Sequence, residues 1–407
     1  MEFTKYQKLV VSILVFLQFT IILDFMIMSP LGAIMMPALK MSTAQFGAVV
    51  SAYAFSAGIS GLLAAGFADR YDRKKLLVFF YTGFIVGTFL CGIATSHYFL
   101  LFARMVTGLF GGVVGSVVLA ITTDLFPLNM RGRVIGFLQT AFASSQILGI
   151  PAGLYLSSLW GWHMPFMLIV ALASIALVVI LKFLKPINEH LKYKSEKAAI
   201  LHLWHTLKNP QYIVAFATMA LISIGGFMLM PFGSAFTVNN LQIPFDKLPV
   251  IYLITGIAAI FIGPLVGRAS DTFGKLKVFV FGALLTIAMV LIYTNLGVTP
   301  LPLVILVNVL LFCAIFSRII PAQALMSAIP TPQNRGAFMA VTSSLQQISG
   351  GVASVIAGLI VVESSSGKLD HFDTLGFILI GTVLISMYLM YNISRQIEAR
   401  DKKATSV

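Results

Sequence analysis

Three charged side chains interrupt the long apolar stretches of this chain: Asp24, Arg104 and Arg318. Of the fourteen acids, only Asp24 lies deep in such a stretch. A charge at the centre of a membrane costs at least ~2.5–3.5 kcal/mol on insertion scales, so it is kept where it meets a partner or a wet cavity. A carboxylate there has three possible uses. It can take up a proton in one state and release it in another, form a permanent ion pair, or bind a cation directly. Arg104 is its natural partner, and Leu23, Phe25 and Met26 supply an apolar surround. Arg318, in Phe316-Ser317-Arg318-Ile319-Ile320-Pro321, is open to an anionic group on a ligand, to Asp24 across the molecule, or to snorkelling along its own helix. One acid against two arginines leaves a net +1, which leans toward anionic, zwitterionic or neutral amphiphilic ligands over simple cations.

The elements that must hold these residues are membrane helices. Hydrophobic residues make up 58% of 407 positions and charged residues 10%, with mean hydropathy +0.96. A soluble domain carries about 25% charged residues. Twelve apolar runs are long enough to span a membrane, which takes about 20 residues. They cover 9–37, 45–67, 76–95, 98–124, 134–158, 163–184, 211–236, 247–268, 277–296, 300–328, 337–362 and 373–394. Only helices satisfy their own backbone in lipid over such lengths, so an all-α membrane protein is expected. The first run is too long for a signal peptide, lacks a small-residue cleavage site and continues into Pro30 and Pro37, so it reads as the first helix.

The chain also repeats itself. Asp69-Arg70-Tyr71-Asp72-Arg73-Lys74-Lys75 and Asp271-Thr272-Phe273-Gly274-Lys275-Leu276-Lys277 are basic loops led by an Asp, 202 positions apart. Asn129-Met130-Arg131-Gly132 recurs as Gln333-Asn334-Arg335-Gly336, offset by 204. One shared offset means a duplicated architecture, which in a membrane protein points to a transporter with two halves around a central site. The halves are expected at 1–184 and 211–407, joined by a polar linker, 185–210. Within the linker, Ile200, Leu203, Trp204 and Leu207 share one helical face, expected to lie along the membrane surface.

With both termini placed in the cytoplasm, three basic residues fall outside (Lys40, Lys247, Lys368), two within spans (Arg104, Arg318), and the other 22 of 27 inside. Topology and anionic lipid therefore account for the net charge of +13, and nucleic-acid binding is not expected. The two cysteines, Cys91 and Cys313, lie within spans, so neither a disulfide framework nor a metal site is expected. No His/Cys/carboxylate cluster, nucleophile–base pair, phosphate loop or dinucleotide fingerprint is visible, so neither an enzyme nor an ATP motor is expected.

These residues resemble the major facilitator superfamily, over essentially the whole chain. Asp69, Arg70, Arg73 and Lys74 occupy the charged positions of its motif G-x-L-a-D-R-x-G-R-[RK]. Ala65 and Asp72 replace its two glycines, and Asp72 gives up glycine's freedom at positive φ. The second copy keeps both, as Gly267 and Gly274. Leu100, Arg104, Gly108, Gly111 and Gly112 resemble a second motif. Gly149-Ile150-Pro151-Ala152-Gly153 resembles the core of an antiporter motif, with one Ile inserted and one glycine missing. Asp24 with Pro30 and Pro37 is similar to the first helix of twelve-helix drug:proton antiporters, and Trp160-Gly161-Trp162-His163 to a Gly-Trp-Arg turn.

The resemblance implies the major facilitator fold, with two pseudo-symmetric six-helix halves and helices 1, 4, 7 and 10 around a cavity. It implies alternating access, with Asp24 and Arg104 coupling a proton as the only cofactor-like ion. It implies a cytoplasmic gate of Asp69, Arg70, Arg73, Asp124, Arg131, Asp271 and Arg335, in which Arg73 pairs with Asp124. Gly149, Pro151 and Gly153 are expected to bend helix 5 between the halves. Substrate contacts are expected from Arg318, Asn308, Gln323, Gln146, Gln346, Tyr53 and Phe227, although the amides can equally bond neighbouring helices and the aromatics can be core. The leading expectation is proton-coupled efflux of a small amphiphilic compound by a monomer in a bacterial inner membrane. Proton symport or facilitated uptake of an organic anion or other nutrient, and lipid handling, are the alternatives. A non-transporting sensor or membrane enzyme is the least favoured.

Overall fold

The computed structural model describes residues 3–192, 199–330 and 335–405. Among the described residues twelve helices are long and apolar enough to cross a membrane. In chain order they are α1 (Lys5–Ala38), α2 (Thr43–Phe67), α3 (Arg73–Gly92), α4 (His97–Leu125), α5 (Leu128–Ser144 and Ile150–Trp160), α6 (Met164–Phe183), α7 (Pro210–Leu229 and Gly233–Asn239), α8 (Leu248–Phe273), α9 (Lys275–Thr294), α10 (Leu301–Ser327), α11 (Arg335–Ile360) and α12 (Phe372–Thr405). Each helix bonds its own backbone internally, as lipid demands. Their lipid-facing sides expose bulky apolar residues such as Phe79, Phe102, Phe261, Phe281, Leu359 and Phe377.

Local chemistry sets where the helices start. Thr4 and Ser42 form reciprocal capping boxes with Gln7 and Gln45 at the heads of α1 and α2. Asp72 is the N-cap of α3, its Oδ1 accepting the Lys75 N–H at 3.0 Å, with φ −56°. The loss of glycine at this position is therefore harmless. The first loop needs no positive φ here and gains a cap instead. The second copy does use the left-handed conformation, with Gly274 at φ 97°.

In the first half α1 packs between α5 and α6, and α4 between α2 and α3; in the second, α7 packs on α11 and α12, and α10 on α8 and α9. The halves meet along α2–α11, α5–α8 and α1–α7. Small residues bring α2 and α11 together: a Cβ on Gly58 would meet Ser344 O at 3.0 Å, and one on Gly358 would meet the Ala44 Cα at 3.1 Å. On the face away from the chain termini the seam is also hydrogen-bonded. Ser29 donates to the Met230 carbonyl, Ser234 to the Ser29 carbonyl and Thr43 to the Val361 carbonyl. A short hairpin of Val362–Glu363 with Leu369–Asp370, unforeseen in the sequence, is held on that face by Asn239 and Asn240.

Between α6 and α7 a short helix, Ala199–Leu207, forms on the terminal face. It was expected on the membrane surface. Instead it packs against α2 and α11, with Leu203 buried in the second-half core and Leu207 beside it, while Trp204 is exposed beneath the Lys208 ammonium. The seam between the halves offers Leu203 a protein surface, which buries it more completely than an interface with headgroups. The Ile200 side chain lies outside the described residues.

Candidate functional site

The deepest charges of the first half meet. Arg104 Nη1 lies 2.7 Å from Asp24 Oδ2, and both side chains are fully buried. Thr88 donates to Asp24 Oδ1 at 3.1 Å. Thus α1 supplies the carboxylate, α4 the guanidinium and α3 the hydroxyl. Gly87 makes this approach possible, since a Cβ there would stand 2.7 Å from Thr107 Oγ1 on α4. Tyr53 of α2 closes the site, its ring centroid 4.5 Å from Arg104 Cζ. Gly108 and Gly111 let α4 fit against that tyrosine: a Cβ on Gly108 would lie 2.9 Å from Tyr53 Cα, and one on Gly111 3.0 Å from its hydroxyl oxygen. Arg104 Nε and Nη2 have no hydrogen-bond partner, so the Tyr53 π-face is a principal compensation for that side of the cation.

An aromatic chain links the pair to the other half. Phe25 lies 5.4 Å from Tyr53 and 5.6 Å from Phe227 of α7, ring centre to ring centre. Phe227 in turn covers Gly350 of α11, whose Cβ would stand 2.9 Å from that ring. Of the two aromatics expected as substrate contacts, Tyr53 covers Arg104, and Phe227 packs on Phe25 one ring further out. Thr88 was missed by sequence reading. Its only signal there was a lone hydroxyl after Gly87, and such hydroxyls usually bond their own helix, as Thr107 does to Ala103 O.

Helix 5 departs from the simple bend expected of it. Residues Ser145–Gly149 form a π-turn, with the Ile150 N–H bonded to Ser145 O. Pro151 causes it, since its ring has no N–H and crowds the carbonyl four residues back. Gly149 and Gly153 face α1 within the same half, where their Cβ atoms would stand 2.6 Å from Leu23 and 2.9 Å from Ile27, on either side of Asp24. Gln146 is buried with its Oε1 unpartnered, and the Gln146–Ile147 backbone packs on Gly256 of α8. The motif thus serves the α1 wall and the inter-half contact together.

The other expected residues are dispersed. Arg318 is buried, with Nε and Nη2 unpartnered, and its Nη2 points toward Gly225 of α7. It does not counter Asp24, which Arg104 and Thr88 already hold. Asn308 donates to Val304 O on its own helix, Gln323 is exposed, and Gln346 accepts a bond from Ser223 through its backbone carbonyl. At the terminal face Arg73 Nε lies 2.9 Å from Asp124 Oδ2, and Arg73 Nη1 donates to Ala68 O at 2.7 Å. This pair joins α3 to α4 inside one half and does not bridge the two. Arg70 and Asp271 are exposed, and the side chains of Asp69, Arg131 and Arg335 lie outside the described residues. Among the described residues no group of His, Cys, Asp or Glu has metal-binding geometry.

A groove of about 620 Å³ runs between α1 and α5, lined mainly by apolar residues that include Phe3, Phe16, Phe19 and Phe137. Phe19, in its lining, lies five residues before Asp24 in the sequence.

Twelve membrane helices in two similar halves define an integral, multi-pass membrane protein, with the buried Asp24–Arg104 pair beside the junction of the halves. The family model described as Major Facilitator Superfamily matches residues 14–354 and again 221–404, and the chain belongs to that superfamily. It is 26% identical over 382 residues to the MFS-type transporter YceJ of Bacillus subtilis, covering 93% of this chain and 94% of that one. It is 27% identical over 342 residues to multidrug resistance protein MdtG of Klebsiella pneumoniae, covering 83% and 81%. Its fold matches a bacterial homolog of the human lysosomal transporter Spinster, in an inward-facing, unoccupied conformation, with TM-score 0.78, 15% identity and coverage of 98% and 99%. Proteins of this family are transporters, not enzymes.

Proposed function

We propose that this chain is a proton-coupled antiporter that exports a small amphiphilic compound across a bacterial inner membrane, with its termini in the cytoplasm. The observation that carries the reading is the fully buried Asp24–Arg104 pair, joined to the opposite half by the Tyr53–Phe25–Phe227 chain. Desolvated charges hold together only while paired, so a shift of α1 against α4 leaves Asp24 to take up a proton. Rocking of the halves moves Phe227 and Phe25, and with them the Tyr53 ring over Arg104. Coupling then follows, because the ion pair is intact in one arrangement and protonated in the other.

The terminal side is assigned to the cytoplasm by the excess of Lys and Arg there. The seam bonds of Ser29, Thr43 and Ser234 would then close the outer side, in keeping with a cytoplasm-facing state. The apolar groove between α1 and α5 favours amphiphilic cargo, and the relative named as a multidrug resistance protein agrees with export. Inward movement of each proton supplies roughly 2.3 kcal/mol per 100 mV.

The test is proton movement in proteoliposomes loaded with a pH-sensitive dye, with a panel of amphiphilic, sugar and organic-acid compounds. Wild type should couple proton flux to an amphiphile moving the opposite way, and Asp24→Asn should abolish that coupling. Coupling that survives in Asp24→Asn makes the pair a static bridge, and flux of cargo and proton in the same direction makes the protein a symporter.

A further inference from the structure

The second half holds a buried cation that the coupling scheme does not use. Arg318 is 4% exposed, and its Nε and Nη2 find no hydrogen-bond partner. An unpaired buried charge is costly enough that it is kept only where something else meets it. Among the described residues no acid is placed to do so. Helices α7, α9 and α10 contain no Asp or Glu, α8 contains only Asp271, close to its end, and the acids of α12 (Asp373, Glu398 and Asp401) lie toward its two ends. Asp24 is held by Arg104 and Thr88.

Gly225 of α7 stands against the guanidinium. Nη2 lies 4.0 Å from where a Gly225 Cβ would be, and Thr382 Oγ1 lies 3.1 Å from that same point. The next residue, Gly226, is exposed, with no atom within 4 Å of its Cβ position. Gly225 thus lets the α7 backbone approach the cation, while the Thr382 hydroxyl beside it donates to Leu379 O on its own helix. The two orphaned nitrogens belong to one side of the guanidinium plane. That edge presents two parallel N–H groups, the arrangement that two oxygens of a carboxylate or phosphate accept together.

We propose that Arg318, beside Gly225 of α7, forms an oxyanion site that takes the carboxylate or phosphate of a small organic anion. This deepens the transport reading, on which it rests, by giving the amphiphilic cargo an acidic head. The site replaces the missing internal counter-ion of the second half, whereas the first half carries its own in Asp24. Arg104 and Arg318 therefore have different roles: one is neutralised by the chain and the other by a ligand.

The purified full chain in detergent micelles tests this without any gradient. Thermal melting and titration calorimetry are run with benzoate, phenyl phosphate, the neutral isostere benzamide, and sodium chloride. Benzoate or phenyl phosphate should raise the melting temperature while benzamide does not, and whichever of the two binds identifies the head group. Arg318→Gln should weaken that binding about tenfold or more, since a hydrogen bond to a charged group is worth about 1.5–3 kcal/mol, and Arg318→Lys should fall between. Arg318→Met should lose anion binding yet melt above the ligand-free wild type, because the unpaired charge is gone. A purely structural arginine would instead make Arg318→Met melt lower. Unchanged affinity in Arg318→Gln, no anion-dependent shift in wild type, or a chloride shift that benzoate does not displace each overturns the site. Asp24→Asn should keep the benzoate or phenyl phosphate shift, so a failed proton-coupling assay and a failed anion site give different results.

Discussion

Tyr53 lays its ring over the Arg104 guanidinium, with 4.5 Å between the ring centroid and Cζ, and is itself almost fully buried. The contact places an aromatic face where a water molecule would otherwise solvate the cation. A desolvated cation–π contact is worth about 2 kcal/mol or more.

Tyr53→Phe keeps that face and should transport and melt much as wild type does. Tyr53→Ala removes the face and leaves a cavity, at a combined cost of roughly 3–5 kcal/mol. Its melting temperature in detergent should drop. Its proteoliposomes should also leak protons without cargo, because water reaches the pair. A tight Tyr53→Ala variant would show that this ring is not what keeps protons out.

The ion pair should show strong coupling in a double-mutant cycle. Asp24→Leu or Arg104→Met alone strands a buried charge and should cost about 3–5 kcal/mol. The two together leave an apolar core and should recover most of that loss, while transport stays abolished in all three. Denaturation in mixed micelles gives the four corners of the cycle. Additive losses would mean that the two residues are stabilised separately.

The glycines of α4 should fall into two classes. A Cβ on Gly112 would stand 2.6 Å from Ser60 Oγ, and one on Gly108 2.9 Å from Tyr53 Cα, whereas Gly115 has nothing within 4 Å. Gly108→Ala and Gly112→Ala should each cost about 1–3 kcal/mol by forcing α2 away. Gly108→Ala should also disturb coupling, because it moves Tyr53. Gly115→Ala should be silent in melting and in flux. Equal effects at all three positions would point to helix flexibility, not close packing, as the reason for glycine.

The spans, the duplication and the sparse deep charges were legible in the sequence, because each depends on residues taken singly or in runs. Twenty apolar residues must become a spanning helix whatever they touch, so 9–37 became Lys5–Ala38 and 300–328 became Leu301–Ser327. Asp24 and Arg104 stand out because any charge in such a run demands an explanation. What the tertiary structure decided is which sides of the helices meet. Helices that are apolar all round carry almost no periodic signal for their rotation. Nothing in the chain therefore announced that Thr88 would reach Asp24, that Tyr53 would cover Arg104, or that Arg318 would find no acid among the described residues. The same holds for Leu203, whose place on the α2–α11 seam depends on a surface that neither half possesses alone. Asp72 and Pro151 lie between these cases. Each acts through its immediate neighbours, as a cap and as the cause of a π-turn, yet only the folded backbone shows which of its permitted conformations each has taken.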